Sequence, residues 1–452
     1  VWSFKRNAVL ISLLLALFLA VPVLAQTVKP TDDGTTLEQV IIFGRHGIRS
    51  TTVEPATLAT YSTNPYPPFV GVPVGYLTPN GREAARLMGS YFHDYLLHEG
   101  LLTGSTAADL SHSYFRANSI QRSNITAAMF GEGLIPGMTA IPVHSYELGT
   151  ADPVFDPVSC GVATVDPDQA ETAVQGEYGS GAALTAAYSG ERSLIRGVLD
   201  PGGSVDPSTQ PFTLTATRPV EFAGTAIASG GLYSLNSATD PFVMQYTDGF
   251  PLEDVAWGRL TPDALSQQTR ITALLINLEM RSPYINQVQS SNAGSHVLRT
   301  MRQAVSGGNL RGAFGNHKSR VLVIISSDAY VAGLAGLLHV HWQLPGYQPD
   351  FIGPGGMLVF ELRHSKRTKE YLVRVFYTGQ TFDQLRNLTP LTLEDHPATM
   401  QLAVPGGNGP DGSLDVKWST FKKLLREAID HKYVQPFGKE SPPDVLDNVP
   451  LK

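Results

Sequence analysis

Between Leu37 and Phe43 the chain reads LEQVIIF, a short unbroken apolar run that predicts a buried strand of the kind found inside a parallel sheet. TPNGREAARLMG, from Thr78, sets Pro79 just inside a helix start and repeats its apolar residues at helical spacing, predicting an amphipathic helix packed on that sheet. From about Pro153 to Thr217 the texture turns to Ala, Gly, Ser, Thr and Pro with some helical segments, as in an insertion. TRITALLINLEM and SHVLRTMRQAV restore helical periodicity, and SRVLVIISSDAY, from Ser319, predicts a second buried strand. GGMLVFEL and YLVRVFY, separated by the charged RHSKRTKE, predict a hairpin, and WSTFKKLLREAIDHKYV a closing helix.

This order predicts an α/β fold, a mainly parallel sheet flanked by helices, interrupted by an inserted mainly helical domain. The expected parts are residues 27–150 and 316–452 for the α/β domain and residues 151–315 for the insertion. Sites in such folds lie at the carboxyl ends of parallel strands, so residues 44–50 and 326–330 are expected to converge.

With 42% hydrophobic and 16% charged residues among 452, the composition is globular, and a net charge of −7 leaves no general basic surface for nucleic acid. An anion must therefore be drawn by a local cluster. Lys5 and Arg6 precede the apolar run AVLISLLLALFLAVPVLA, Ala8 to Ala25, which ends in small residues. Residues 1–25 read as a signal peptide, which predicts a periplasmic or secreted protein with no membrane association after cleavage; the alternative is an uncleaved anchor. A single cysteine, Cys160, excludes an intrachain disulfide and reads as structural.

The first strand runs straight into RHGIRS. Gly47 permits a tight turn, Arg45 and Arg49 can grip phosphate oxygens, and His46 between two cations is biased toward its neutral, nucleophilic form. Taken alone, the same residues read first as a hydrogen-bonded loop histidine with surface ion pairs. The segment resembles the RHGxRxP signature of the histidine acid phosphatases, the branch of the histidine phosphatase superfamily that includes bacterial phytases and glucose-1-phosphatases. GYLTPNG, DPVFDPV, WGRLTP and HWQLPGYQPDFIGPGGMLVFEL extend the likeness in order along most of the chain.

That resemblance implies an α/β domain with a helical insertion and hydrolysis of small phosphate monoesters through a phosphohistidine, without metal or other cofactor. His46 falls on the nucleophile, Arg45 and Arg49 on phosphate-binding positions, and Arg122, in NSIQRSN, on a third. Asp328 falls on the general acid of a His-Asp pair whose histidine is here Ser327, and Thr51 replaces the signature proline. Loss of the imidazole implies reduced efficiency and keeps open a second function, a degenerate phosphate or phosphosugar binder. A mutase is a weaker third reading. Val53 and Glu54 stand where phytases tend to carry a lysine, which favours a general phosphomonoesterase, while Arg281 resembles a family position near the substrate. His339 and His341, alternating as strand neighbours would, lack a third ligand at metal spacing, and sequons occur at Asn124 and Asn387.

Overall fold

The computed structural model describes residues 33–214, 219–220, 224–225, 227–407 and 413–436; the leader read from the sequence lies outside them. Strand β1 (Thr35–Arg45) runs through the centre of an eight-stranded sheet and is buried from Val40 to Arg45. The other strands are β2 (Ser113–Ala117), β3 (Val143–His144), β4 (Val321–Ser326), β5 (Met357–Ser365), β6 (Tyr371–Gly379), β7 (Ala398–Gln401) and β8 (Val416–Lys417). They lie in the order β7-β6-β5-β1-β4-β2-β3, with β8 also beside β6. On one side of β1 the pairings with β4, β2 and β3 are parallel, and on the other the β5–β6 hairpin and its neighbours are antiparallel. The protein is thus α/β, with a mixed central sheet flanked by helices. β1 and β4 can carry the unbroken apolar runs Val40–Phe43 and Val321–Ile325 because both faces of the strands are covered there.

Helix α1 (Pro79–His98) starts as its sequence predicts, with the Thr78 hydroxyl accepting a hydrogen bond from the Gly81 amide at 2.9 Å. It packs on α2 (Gln121–Leu134) backbone against backbone: a Cβ on Gly89 would lie 2.0 Å from the Phe130 carbonyl oxygen, and one on Gly133 2.0 Å from that of Arg86. Gly81 is tied to the RHGIRS loop in the same way, since its Cβ would lie 2.1 Å from the Ile48 carbonyl oxygen. Gly81→Ala is therefore expected to destabilise the fold by roughly 1–3 kcal/mol and to lower activity by shifting the loop, checked by thermal melting and turnover.

Between β3 and β4 come helices Pro167–Tyr178, Gly181–Ala187 and Ser189–Leu199, then α3 (Gly231–Thr247), α4 (Pro262–Met280) and α5 (Pro283–Ser306). Two short antiparallel pairings, Thr213–Leu214 with Ala228–Ser229 and Pro219–Val220 with Gly224–Thr225, precede α3. Ile41 and Phe43 of β1 share one core with Leu274 of α4, Ile285 of α5 and Val331 of α6 (Asp328–Leu337). Beneath α6 lies a buried polar network. Arg116 pairs with Asp152 at 2.6 Å, and the Tyr330 hydroxyl donates to Asp156 at 2.6 Å; burial raises the Asp156 carboxyl to about 6.

The closing helix is shorter than its sequence pattern. Helix α7 (Trp418–Ala428) stops where Ile429 turns extended, and Asp430 accepts from the Lys432 amide at 3.0 Å to begin a separate 3₁₀ turn. No helix among the described residues is long and apolar enough to cross a membrane.

Candidate active site

The two strand ends named from the sequence are neighbours. Arg45 is in register with Ser326, and the His46 amide donates to the Ser326 carbonyl at 2.8 Å, so the loop after β1 and the start of α6 open from one edge. The Gly355 amide donates to the His46 carbonyl at 3.0 Å, and the Gly47 amide to the Thr126 hydroxyl of α2 at 3.0 Å. The loop is thereby held from three elements. Gly47 does not use a left-handed conformation; its role is close packing, because a Cβ there would lie 3.0 Å from the Gly81 carbonyl oxygen. Where the signature has proline, the Thr51 hydroxyl accepts from the Val53 amide at 3.0 Å and closes a short turn.

His46 is 3% exposed, with Nδ1 2.9 Å from the Gly47 carbonyl oxygen. A carbonyl only accepts, so this contact places the ring proton on Nδ1 and leaves the Nε2 lone pair free. Burial first, then the charges of Arg122, Arg45 and Arg49, holds the imidazole well below its ordinary pKa. Three guanidiniums thus surround a neutral ring.

Each guanidinium has a different counterpart. Arg45 lies 3.2 Å from Asp328 and also donates to the Ile352 carbonyl. Arg49 makes a paired contact with Asp240, at 2.9 and 3.0 Å. Arg122 donates to the Gly75 carbonyl at 3.2 Å and has no carboxylate partner among the described residues. Burial, then repulsion from Arg49, lowers Arg122 to about 10, so it remains charged at neutral and acidic pH. Each of the three keeps a buried Nε–H without an acceptor. Buried donors of this kind call for a partner, and an oxyanion supplies several acceptors at once.

Asp328 opens α6 directly after Ser327, whose side chain makes no hydrogen bond among the described residues. Ser327 and Asp328 are both partly exposed, at the mouth of the site. Arg281 follows α4 directly and faces the loop after α6. It is buried against Trp342, donates to the Val340 carbonyl, and approaches Asp350 at 3.7 Å, with His341 3.2 Å away. His339 and His341 follow α6 in a loop, His339 at φ 51°, rather than in a strand, and His341 faces Asp350 at 2.6 Å. Asn124 is buried, donating to the Asn118 carbonyl at 2.7 Å, which closes it to a glycan. Burial raises the Cys160 thiol to about 11, far from a reactive thiolate.

Asp240 was not among the residues singled out from the sequence. Burial opposes its charge, yet Arg49, followed by Arg45 and Arg122, holds its carboxyl below the usual range. The available signal was an aspartate directly ahead of Pro241 in a helical run with no other charged residue. Its partner stands 191 residues away, beyond any local pattern.

Residues 36–181 match the family model of the histidine phosphatase superfamily, branch 2. The chain is 26% identical over 433 residues to a glucose-1-phosphatase of Providencia rettgeri, covering 90% of this chain and 96% of that one. It is 28% identical over 408 residues to phytase AppA of Escherichia coli, covering 87% and 92%. A Hafnia alvei phytase solved with tartrate superposes with a TM-score of 0.80 at 27% identity, over 90% of this chain and all of that one.

The chain is thus similar to branch 2 of the histidine phosphatase superfamily, whose model matches its first part, and to a glucose-1-phosphatase and phytases along about nine-tenths of its length. Ser327 directly follows β4, where the family pattern described above has an imidazole. A serine hydroxyl can donate one hydrogen bond there but brings no charge.

Proposed function

We propose that this protein is an exported acid phosphatase that hydrolyses small phosphate monoesters through a phosphohistidine. The observation that carries the reading is the neutral His46 ring, its proton on Nδ1, enclosed by the charges of Arg45, Arg49 and Arg122. The arginines hold the phosphoryl oxygens and offset the charge that grows on them during transfer. The Nε2 lone pair attacks phosphorus, the ester P–O bond breaks, and Asp328 delivers a proton to the departing alkoxide. In the second half, water attacks phosphorus with Asp328 now accepting its proton, and the P–N bond breaks to free phosphate and His46. The leader read over residues 1–25 supports export. The test is release of inorganic phosphate from a chromogenic ester by the native chain and by His46→Ala.

Ser327 favours a second reading, a phosphate or phosphosugar binder with little turnover. It retains the guanidinium cluster and lacks one charge-assisted donor to the transition state, a deficit worth about 2.7–4 kcal/mol where such a donor is lost outright. Ser327→His is expected to raise kcat by about 10- to 100-fold with a smaller change in KM. An unchanged kcat in the folded variant means that this position does not limit the rate. Phosphate binding without turnover in the native chain supports the binder.

A further inference from the structure

DPVFD, from Asp152 to Asp156, is a motif that the chemistry at His46 leaves unused. It folds into a closed turn: the Val154 amide donates to the Asp152 carboxylate at 2.9 Å, the Phe155 amide to the Asp152 carbonyl at 3.0 Å, and the Asp152 amide to one Asp156 oxygen at 3.1 Å. Two neighbours fix this turn. Arg116 of β2 grips the Asp152 carboxylate at 2.6 and 2.8 Å, and Asn292 of α5 donates to the Pro153 carbonyl at 2.6 Å. The other Asp156 oxygen accepts from the Tyr330 hydroxyl at 2.6 Å. Burial, then the Asp156 charge, raises the Tyr330 phenol well above its ordinary pKa, so it stays a donor. Arg116, Asp152, Asp156 and Tyr330 are all buried, and water does not compete for these bonds.

Tyr330 is the third residue of α6, two after Asp328, and helical spacing sets the two on opposite sides of the helix. Further along, α6 lies tight on α5: a Cβ on Gly333 would overlap the Ser290 hydroxyl, and one on Gly336 the Asn286 amide. The first turn has weaker support. Ser327 gives no side-chain cap, and the first helical bond, from the Val331 amide to the Ser327 carbonyl, is stretched to 3.5 Å. Asp328 itself is held by the Ala329 amide at 3.1 Å, which moves with the helix, and by Arg45 at 3.2 Å, a guanidinium that phosphate must claim. Once it does, the place of the carboxyl depends on the backbone of that first turn. We propose that Asp156 and Tyr330 are positioning residues for the proton donor: the buried bond between them fixes the rotation of α6 and so points Asp328 at the departing oxygen. The inference rests on the phosphatase reading and deepens it.

The test measures kcat and KM for glycerol 2-phosphate, whose alkoxide needs a proton, and for p-nitrophenyl phosphate, whose leaving group needs little. Tyr330→Phe is expected to lower kcat for the alkyl ester by about 10- to 100-fold, with KM within about twofold and the aryl ester changed less than about threefold. In an Asp328→Asn background the same substitution should cost nothing further. Equal losses for the two esters, an undiminished loss beside Asp328→Asn, or alkyl turnover within about twofold of native overturns the proposal. Should Tyr330→Phe not fold, Asp156→Asn is put to the same measurements and must meet the same result: an amide has one oxygen for the two bonds that the carboxylate accepts, so the tie is weakened. Amide hydrogen exchange over residues 327–333 reads the anchor without turnover. Exchange there should quicken about tenfold or more in the variant, and unchanged exchange overturns the proposal. A native chain that hydrolyses neither ester would sink the phosphatase reading, and the exchange measurement would still decide whether the anchor exists.

Discussion

His46→Ala is expected to lower phosphate release by roughly 10⁴- to 10⁶-fold, the scale on which loss of a covalent nucleophile acts. The expectation is large because no other side chain replaces Nε2: the guanidiniums are permanent cations, and Asp328 is held 3.2 Å from Arg45. Alanine also removes the ring whose Nδ1 contacts Gly47, yet the loop keeps its backbone bonds to Ser326, Gly355 and Thr126. The fold should survive, as thermal melting will report. Rapid quench under alkaline conditions should trap phosphate on the native chain and none on the variant. Turnover within tenfold of native would mean that water attacks phosphorus directly, and the covalent step would be abandoned.

Asp328→Asn should separate proton transfer from phosphoryl transfer. For alkyl esters, whose alkoxide is a poor leaving group, a loss of about 10²- to 10⁴-fold is expected; for p-nitrophenyl phosphate, whose leaving group needs little protonation, the loss should be far smaller. The variant also frees Arg45, a buried guanidinium, from its carboxylate. Inorganic phosphate should consequently inhibit the variant more strongly than the native chain, because it meets a cation without a competing anion. Equal losses for alkyl and aryl esters would remove Asp328 from the proton-donor role and leave it as a counter-ion to Arg45.

Legibility in the sequence followed the range of each interaction. LEQVIIF and SRVLVIISSDAY announced β1 and β4 because a strand covered on both faces must be apolar throughout. Thr78 and Pro79 announced α1 because capping is decided within one turn. His46 and its two neighbouring arginines are adjacent in the chain, so their grouping was visible; Arg122 gained its meaning only from family likeness, and the structure places its charge on His46. Asp240 stayed hidden because its guanidinium partner, Arg49, is brought to it by helix packing rather than by local order. Arg281 was legible only through family likeness, and its side chain is drawn toward Val340 and Asp350. The alternation of His339 and His341 suggested a strand, but the chain turns through a left-handed residue there.

The pairing of β1 with β4 has a consequence for biogenesis. Gln39 and Ser319, which bond beside that pairing, are 280 residues apart. A nascent chain halted before Ser319 would already contain His46 and all three guanidinium groups, yet β1 would lack the neighbour that seats it and the proton donor would not exist. Contacts of such long separation form slowly, because loop closure must precede them. The hydrolytic centre therefore arises only after more than two-thirds of the 452 residues have been joined.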